Sequence, residues 1–368
     1  MKMNMIALTG KYLDQPVLVS KLSRVMPAIL VTGAVAYGAD DIYRAPKEEK
    51  KKAFIKNVCV LGLTVLSTLI STRGLKPLSL FGKQICKGFN GLSNIKSVAE
   101  VKNAQSELIH DFVNSTSVKE NVLGILNKAK DKILKLSEIK TLYREIGTTA
   151  KGKNFLEKLI PSPENVTAKK IFGEIGRLSL IGLVPLVGGI TGGILGDRLT
   201  EENWKKKIPN KIKEGSYQYL ANIFMCNVGA GIALGIMEKM KIISKTGRAI
   251  GMLAGILVTG VLGGSAIANF ISKKIIDPLI GKKHSNTDSL YSERTPEAID
   301  IGLHADDLAT IGIMSGFRWI EPALPIFYSI SGYRAGIGYR NNHCHDHHHN
   351  HDHNSTNFNG SKHFDHKI

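Results

Sequence analysis

The sequence predicts an all-α, multi-pass helical membrane protein with glycine-striped spans, a helical basic peripheral region and a disordered His-rich C-terminal tail. Three observations carry this. The runs Leu178–Gly196, Gly215–Met237 and Ala249–Ile271 carry no charge. A bilayer core about 30 Å thick takes about 20 apolar residues of helix to cross, and each run is close to that length. Glycine recurs in them at a spacing of four, and the last 28 residues are polar and full of histidine.

An all-round apolar helix has to be buried in a large core or in lipid. In lipid the backbone must pair its own polar groups, which a helix does within one segment. Glycine costs a helix about 1 kcal/mol relative to alanine in water, so its repetition needs a reason. Gly188, Gly192 and Gly196 share a face, with Gly189 and Gly193 beside them. Gly231 and Gly235 repeat the spacing in the second run. Gly247, Gly251 and Gly255, then Gly260 and Gly264, repeat it in the third. Small residues four apart leave a groove in which a second helix backbone can lie close. These faces predict helix packing within the chain or between copies in a homo-oligomer.

Composition narrows the class. The chain has 368 residues and a formal net charge of +18, yet its mean hydropathy is −0.02. Lysine-rich stretches alternate with uncharged runs. No aromatic–basic interleaving or nucleic-acid motif accompanies the charge, so nucleic acid is not the expected partner. Lysines beside membrane helices and anionic lipid account for it better, which makes membrane lipids the expected partner. Cys59, Cys86, Cys226 and Cys344 form no CxxC pair, and no disulfide framework is expected.

Four regions follow: 1–72, 73–177, 178–340 and 341–368. Residues 1–24 form a short amphipathic lead-in. Val25–Ala39 is uncharged but only 15 residues long. It is a short span, or the core of a signal peptide with Ala34-Val35-Ala36 at the cleavage site. The long basic stretch before it favours a retained helix. Phe54–Thr72 is a second span, with Lys56 near its start, and the two form a hairpin. In 73–177, Val98, Val101, Leu108 and Phe112 follow helical spacing. Ser117 and Glu120 suggest a capping box. Val122, Leu126, Ala129, Ile133 and Leu136 alternate like two heptads of a coiled coil. Lys128, Lys130, Lys132 and Lys135 flank that stripe, as on a basic helix lying on an anionic leaflet. Pro161 and Pro163 end this region, with Ser162 placed to cap the next helix.

In 178–340, Pro185 is expected to kink the first striped span. Thr200 before Glu201 and Glu202 suggests a helix start. Glu238–Arg248 is a short connector, so the spans on either side should be antiparallel neighbours. Six spanning segments would put both termini on one side. Thr295-Pro296-Glu297 starts a last helix, on which Asp300, His304, Asp307 and Arg318 lie near one direction. Asp300, His304 and Asp307 are candidate metal ligands or a proton relay, and Arg318 with Glu321 a buried pair. The competing expectation puts Asp300–Asp307 in water.

The tail carries the strongest chemistry. His343, Cys344, His345, Asp346, His347, His348, His349, His351, Asp352 and His353 crowd into eleven residues. His363 and His366 follow. Imidazole suits Zn, Ni, Co and Cu ions, and the Cys344 thiolate adds affinity for the softer ones. Low apolar content predicts disorder. No GxSxG, P-loop, Rossmann or HExxH motif is present, so an enzyme is not expected. Two functions remain: transition-metal handling through the tail, and a structural or membrane-shaping scaffold of close-packed glycine helices.

Overall fold

The computed structural model describes residues 5–74, 79–80, 83–84, 97–160, 168–242, 245–264, 305–314 and 317–338, with single helical positions at 270, 274 and 278. They are helical apart from turns and a two-residue ladder that pairs β1 (Ser79–Leu80) with β2 (Lys83–Gln84). Four helices are long and apolar enough to cross a membrane: Pro16–Arg44, Lys47–Ser71, Ile175–Thr200 and Trp204–Lys239.

One small helical unit sits at one end. α1 (Met5–Leu13) packs against α4 (Val98–Asn114), α5 (Glu120–Ala129), α6 (Leu136–Glu145) and α7 (Ala150–Leu159). Their core holds Leu8, Ile109, Phe112, Val122, Leu126, Ile139, Leu142 and Leu156. Phe112 and Phe155 stack with ring centroids 4.0 Å apart. The N-terminal segment thus belongs to this unit. The Gln15 amide donates to the Leu134 carbonyl at 3.0 Å and accepts from the Leu134 N–H at 2.7 Å. The Lys11 ammonium donates to the Ile160 carbonyl at 3.1 Å.

Two local expectations are corrected here. The capping box lies twenty residues before the expected one, between Ser97 and Glu100. α5 instead starts at Glu120 behind Lys119, whose carbonyl accepts the first helical bonds. The coiled-coil stripe also breaks. Val122, Leu126 and Ala129 are buried on α5, but the chain then turns, and Leu134 rather than Ile133 enters the core. Two heptads are too short to hold a seam, and a compact bundle buries the same residues from more directions.

The long helices form the second body. α2 (Pro16–Arg44) and α3 (Lys50–Gly74) make an antiparallel hairpin, so the short apolar run lies within a helix of 29 residues. The Asn57 amide donates to the Asp41 carboxylate at 2.6 Å across it. α8 (Ala168–Thr200) lies antiparallel to α3 and runs unbroken through Pro185. Thr200 closes α8 rather than starting a helix. Its hydroxyl donates to the Gly196 carbonyl at 2.8 Å. A 3-10 turn (Trp204–Lys207) leads into α9 (Ile208–Tyr217), a π-helical segment (Gln218–Met225) and α10 (Cys226–Lys239). Lys241, in the left-handed region at φ 57°, helps reverse the chain into α11 (Lys245–Ile256), which packs antiparallel on α10. After α12 (Ala305–Met314) and a 3-10 turn (Arg318–Ala323), α13 (Leu324–Ile337) runs back through the bundle parallel to α8.

Glycine decides how closely these helices lie. A Cβ at Gly188, Gly192 or Gly196 would run into α3 at Ser67, Cys59 and Lys56 respectively. On the neighbouring face the contacts alternate between α8 and α13. A Cβ on Gly332 would meet the Pro185 carbonyl, and one on Gly189 the Gly332 carbonyl. One on Gly336 would meet the Gly189 carbonyl, and one on Gly193 the Gly336 carbonyl. Between α10 and α11, Gly229 and Gly255 oppose each other, and Gly251 lies against Met237. Gly235 meets nothing within 4 Å.

The two ends of this body differ. α2 leaves the small unit at Gln15, and 29 residues of helix at about 1.5 Å each carry it about 43 Å away. The α2–α3 turn, the α8–α9 turn and the last carbonyls of α13 share that far end. The described N-terminal residues and the end of α13 therefore lie at opposite ends of the bundle.

Candidate functional site

Charged side chains gather inside the far end of the bundle. α8 delivers Asp197 one residue after its glycine face. α9 delivers Lys211 and Glu214, and the π-helical segment after it delivers Gln218 one turn on. α3 delivers Lys56, and α13 delivers Arg334 in its last turn. The Lys211 ammonium lies 3.1 Å from the Asp197 carboxylate, and both side chains are almost wholly buried. Lys56 reaches the other Asp197 oxygen at 3.5 Å and also bonds Glu201. Lys207 holds Glu201 from the opposite side at 2.5 Å. Deeper in, the Arg334 Nε stands 3.8 Å from Glu214, which accepts from the Gln218 amide at 2.8 Å.

Burial makes the pairing obligatory. A charge taken out of water costs several kcal/mol unless partners replace the solvent. Here acids and bases interleave across four helices, so no charge is left alone. Lys211 does a second job: it donates to the carbonyls of Gly336 and Ile337, the latter at 3.2 Å. These are the orphan acceptors at the negative end of α13, where a cation is favoured. Gly338 then leaves the helix at φ +86°, 3.2 Å from the Lys211 side chain at its missing Cβ. At the surface, burial raises the Glu201 carboxyl pKa, but Lys207 and Lys56 outweigh it and hold the group below the ordinary carboxylate range.

Polar groups continue through the bundle. The Asn227 amide donates to the Ser179 hydroxyl at 3.4 Å, joining α10 to α8. The hydroxyls of Thr64 and Ser331 are buried with no hydrogen-bond partner among the described residues. At the opposite end Arg177, Asp307 and Glu321 are each about 95% buried. Asp307 belongs to α12, whose Ala309 and Ile313 pack with Leu178 of α8. It is therefore not in water, contrary to the solvated expectation.

Asp300, His304, the end of the third uncharged run after 264 apart from position 270, and the whole tail from His343 to His353 lie outside the described residues, as does the helix start at Thr295. The capping role of Ser162 lies outside them too. Among the described residues no three His, Cys, Asp or Glu side chains are arranged to hold a metal ion. Gly231 is buried on α10, and Gly247, Gly260 and Gly264 lie in α11 and the π-helical turn after it. The cluster around Lys211 was not anticipated, because Asp197–Lys213 has the composition of a solvated connector. The spacing of Lys211, Glu214 and Gln218 on one helical face was the available signal.

The fold is thus a helical bundle with four helices of membrane-spanning length and composition. No family model, curated protein or solved structure matches the chain.

Proposed function

We propose that this is a multi-pass integral membrane protein acting as a scaffold: a close-packed glycine bundle that holds a helical domain at one face of the bilayer and a metal-binding tail at the other. The reciprocal fit of Gly189 and Gly193 with Gly332 and Gly336 carries this reading. Backbones in contact fix helix positions rather than line a lumen. The outer surfaces support the lipid setting. Only 17% and 22% of the most apolar windows of Pro16–Arg44 and Lys47–Ser71 are covered by protein. Val35, Val58, Leu66 and Ile70 are more than half exposed on them. Carbonate extraction of membranes tests the setting, and release into the supernatant would sink it. Proteoliposomes that pass Zn, Ni or Co ions at a rate dependent on the protein would sink the scaffold role.

A second reading, handling of transition-metal ions, is favoured by the ten potential ligands between His343 and His353. α13 and Gly338, the last described residues before that run, end at the charge cluster. Cells making a chain truncated after Arg340 should then differ in zinc, nickel or cobalt tolerance. Equal tolerance speaks against it.

A further inference from the structure

We propose that the rim around Trp204 is a docking surface for the headgroups of anionic phospholipids, an assignment that rests on the membrane reading above. The order of groups along α8 carries it. Leu195 and Leu199 face outward at 40% and 59% exposure. The Trp204 ring follows, half-buried, with the Arg198 guanidinium 5.9 Å and the Lys205 ammonium 5.7 Å from its centroid. Aliphatic, indole, cation is the order of layers in a leaflet: acyl chains, the amphipathic interface, phosphate. The α2–α3 corner repeats it. Phe54 and Val58 are each 55% exposed, and Lys51 lies one turn beyond Phe54 on the same side of the helix. Tyr43 is 80% exposed with the Lys50 ammonium 5.7 Å from its ring centroid.

Four acids of this end are already engaged. Asp197, Glu201 and Glu214 turn inward to Lys56, Lys207, Lys211 and Arg334, and Asp40 pairs with Arg44 at 2.9 Å. Lys51, Lys52, Lys205 and Lys206 remain exposed, without an ion pair among the described residues. Asp41, which accepts from the Asn57 amide, and Glu48, Glu49 and Glu202 are the exposed acids beside them, and with Lys47 and Arg198 the cations are in excess. Lys52 and Lys56 share a face of α3, and Lys56 bonds Glu201 just ahead of the Trp204 turn. The two corners therefore form one continuous basic rim. Zwitterionic lipid offers such a rim no net counter-charge, whereas an anionic headgroup does.

The experiment uses the full chain carrying Trp319→Phe, which leaves Trp204 as the single tryptophan. It is reconstituted into phosphatidylcholine vesicles holding a minor share of phosphatidylglycerol. Bromine near the glycerol is placed on one lipid or the other at equal mole fraction. Each lysine near an anionic surface is worth about a fivefold change in local lipid partition, so bromo-phosphatidylglycerol should quench Trp204 at least about twofold more strongly. Changing Lys51, Lys52, Lys205 and Lys206 together to Gln should abolish the excess while quenching by bromo-phosphatidylcholine stays the same, which also shows the fold intact. Free inorganic phosphate should leave the excess in place. Equal quenching by both lipids overturns the proposal but leaves the membrane reading standing. Loss of the excess to free phosphate, or its survival in the four-lysine variant, overturns it likewise. Quenching by neither lipid overturns both.

Discussion

Gly189 of α8 and Gly332 of α13 lie so close that a Cβ on Gly189 would overlap the Gly332 carbonyl oxygen. The obstacle is backbone, which cannot rotate away as a side chain can. Gly189→Ala should therefore separate the helices, with a cost in the overpacking range of about 1–3 kcal/mol, and Gly189→Leu should cost more. Gly62 of α3 meets nothing within 4 Å. Gly62→Ala should be neutral or slightly stabilising. Thermal unfolding in detergent compares the two, and equal midpoints would remove the packing argument.

The buried charges should behave as a coupled unit. Lys211→Met strips Asp197 of its closest cation and uncaps the last carbonyls of α13. Removing one partner of a buried pair costs about 3–5 kcal/mol. Asp197→Asn beside it restores much of the loss, because the orphaned charge goes too. A double-mutant cycle by denaturant titration should thus show coupling well above the few tenths of a kcal/mol expected of independent sites. Strict additivity would mean that the two groups do not interact.

The long helices were legible because an uncharged run of about 20 residues has few alternatives. On α8, Gly188, Gly192 and Gly196 lie against α3, and Gly189 and Gly193 against α13. What pattern could not supply was the partner. The spacing on α8 says a backbone can approach, but only the tertiary arrangement says that it is the one carrying Gly332 and Gly336. The charge cluster was hidden for a related reason. Lys211 and Glu214 look solvated in a connector until Asp197 and Arg334 arrive from 14 and 120 residues away. The Ser117–Glu120 motif failed because a capping box needs a helix to start there, and α5 starts three residues later.

The small helical unit should lose stability in acid. The Lys135 N–H at 2.8 Å and the Lys128 ammonium at 2.9 Å favour the Glu138 carboxylate and lower its pKa. Lys119 and Arg144, each at 3.0 Å, do the same for Glu145. A carboxyl whose folded pKa is depressed contributes its stability above the unfolded value of about 4.3. That contribution fades as pH falls through this value and is gone below the folded one. Protection of the α5 and α6 amides, taken as the intrinsic exchange rate relative to the observed rate at each pH, should fall over that window. Glu138→Gln should flatten the response, and an unchanged profile would show that the pairing is not felt.

The arrangement of ends predicts a topology. Lys140 is exposed on α6 of the small unit, and Lys206 is exposed on the turn before α9. α2, about 43 Å long at about 1.5 Å per residue, separates the two levels. In a chain whose four native cysteines are replaced, Lys140→Cys and Lys206→Cys should label from opposite sides of sealed vesicles with a membrane-impermeant maleimide. One reacts at once and the other only after permeabilisation. If the basic rim faces an anionic leaflet, the Lys206 side is the cytoplasmic one, since lysine-rich short loops favour that face. The chain leaving Gly338 must then start on the same side as Lys206, because Lys211 holds the end of α13 there. Labelling of both positions from one side would contradict the crossing of the bilayer by the bundle, and with it the separation of domain and tail.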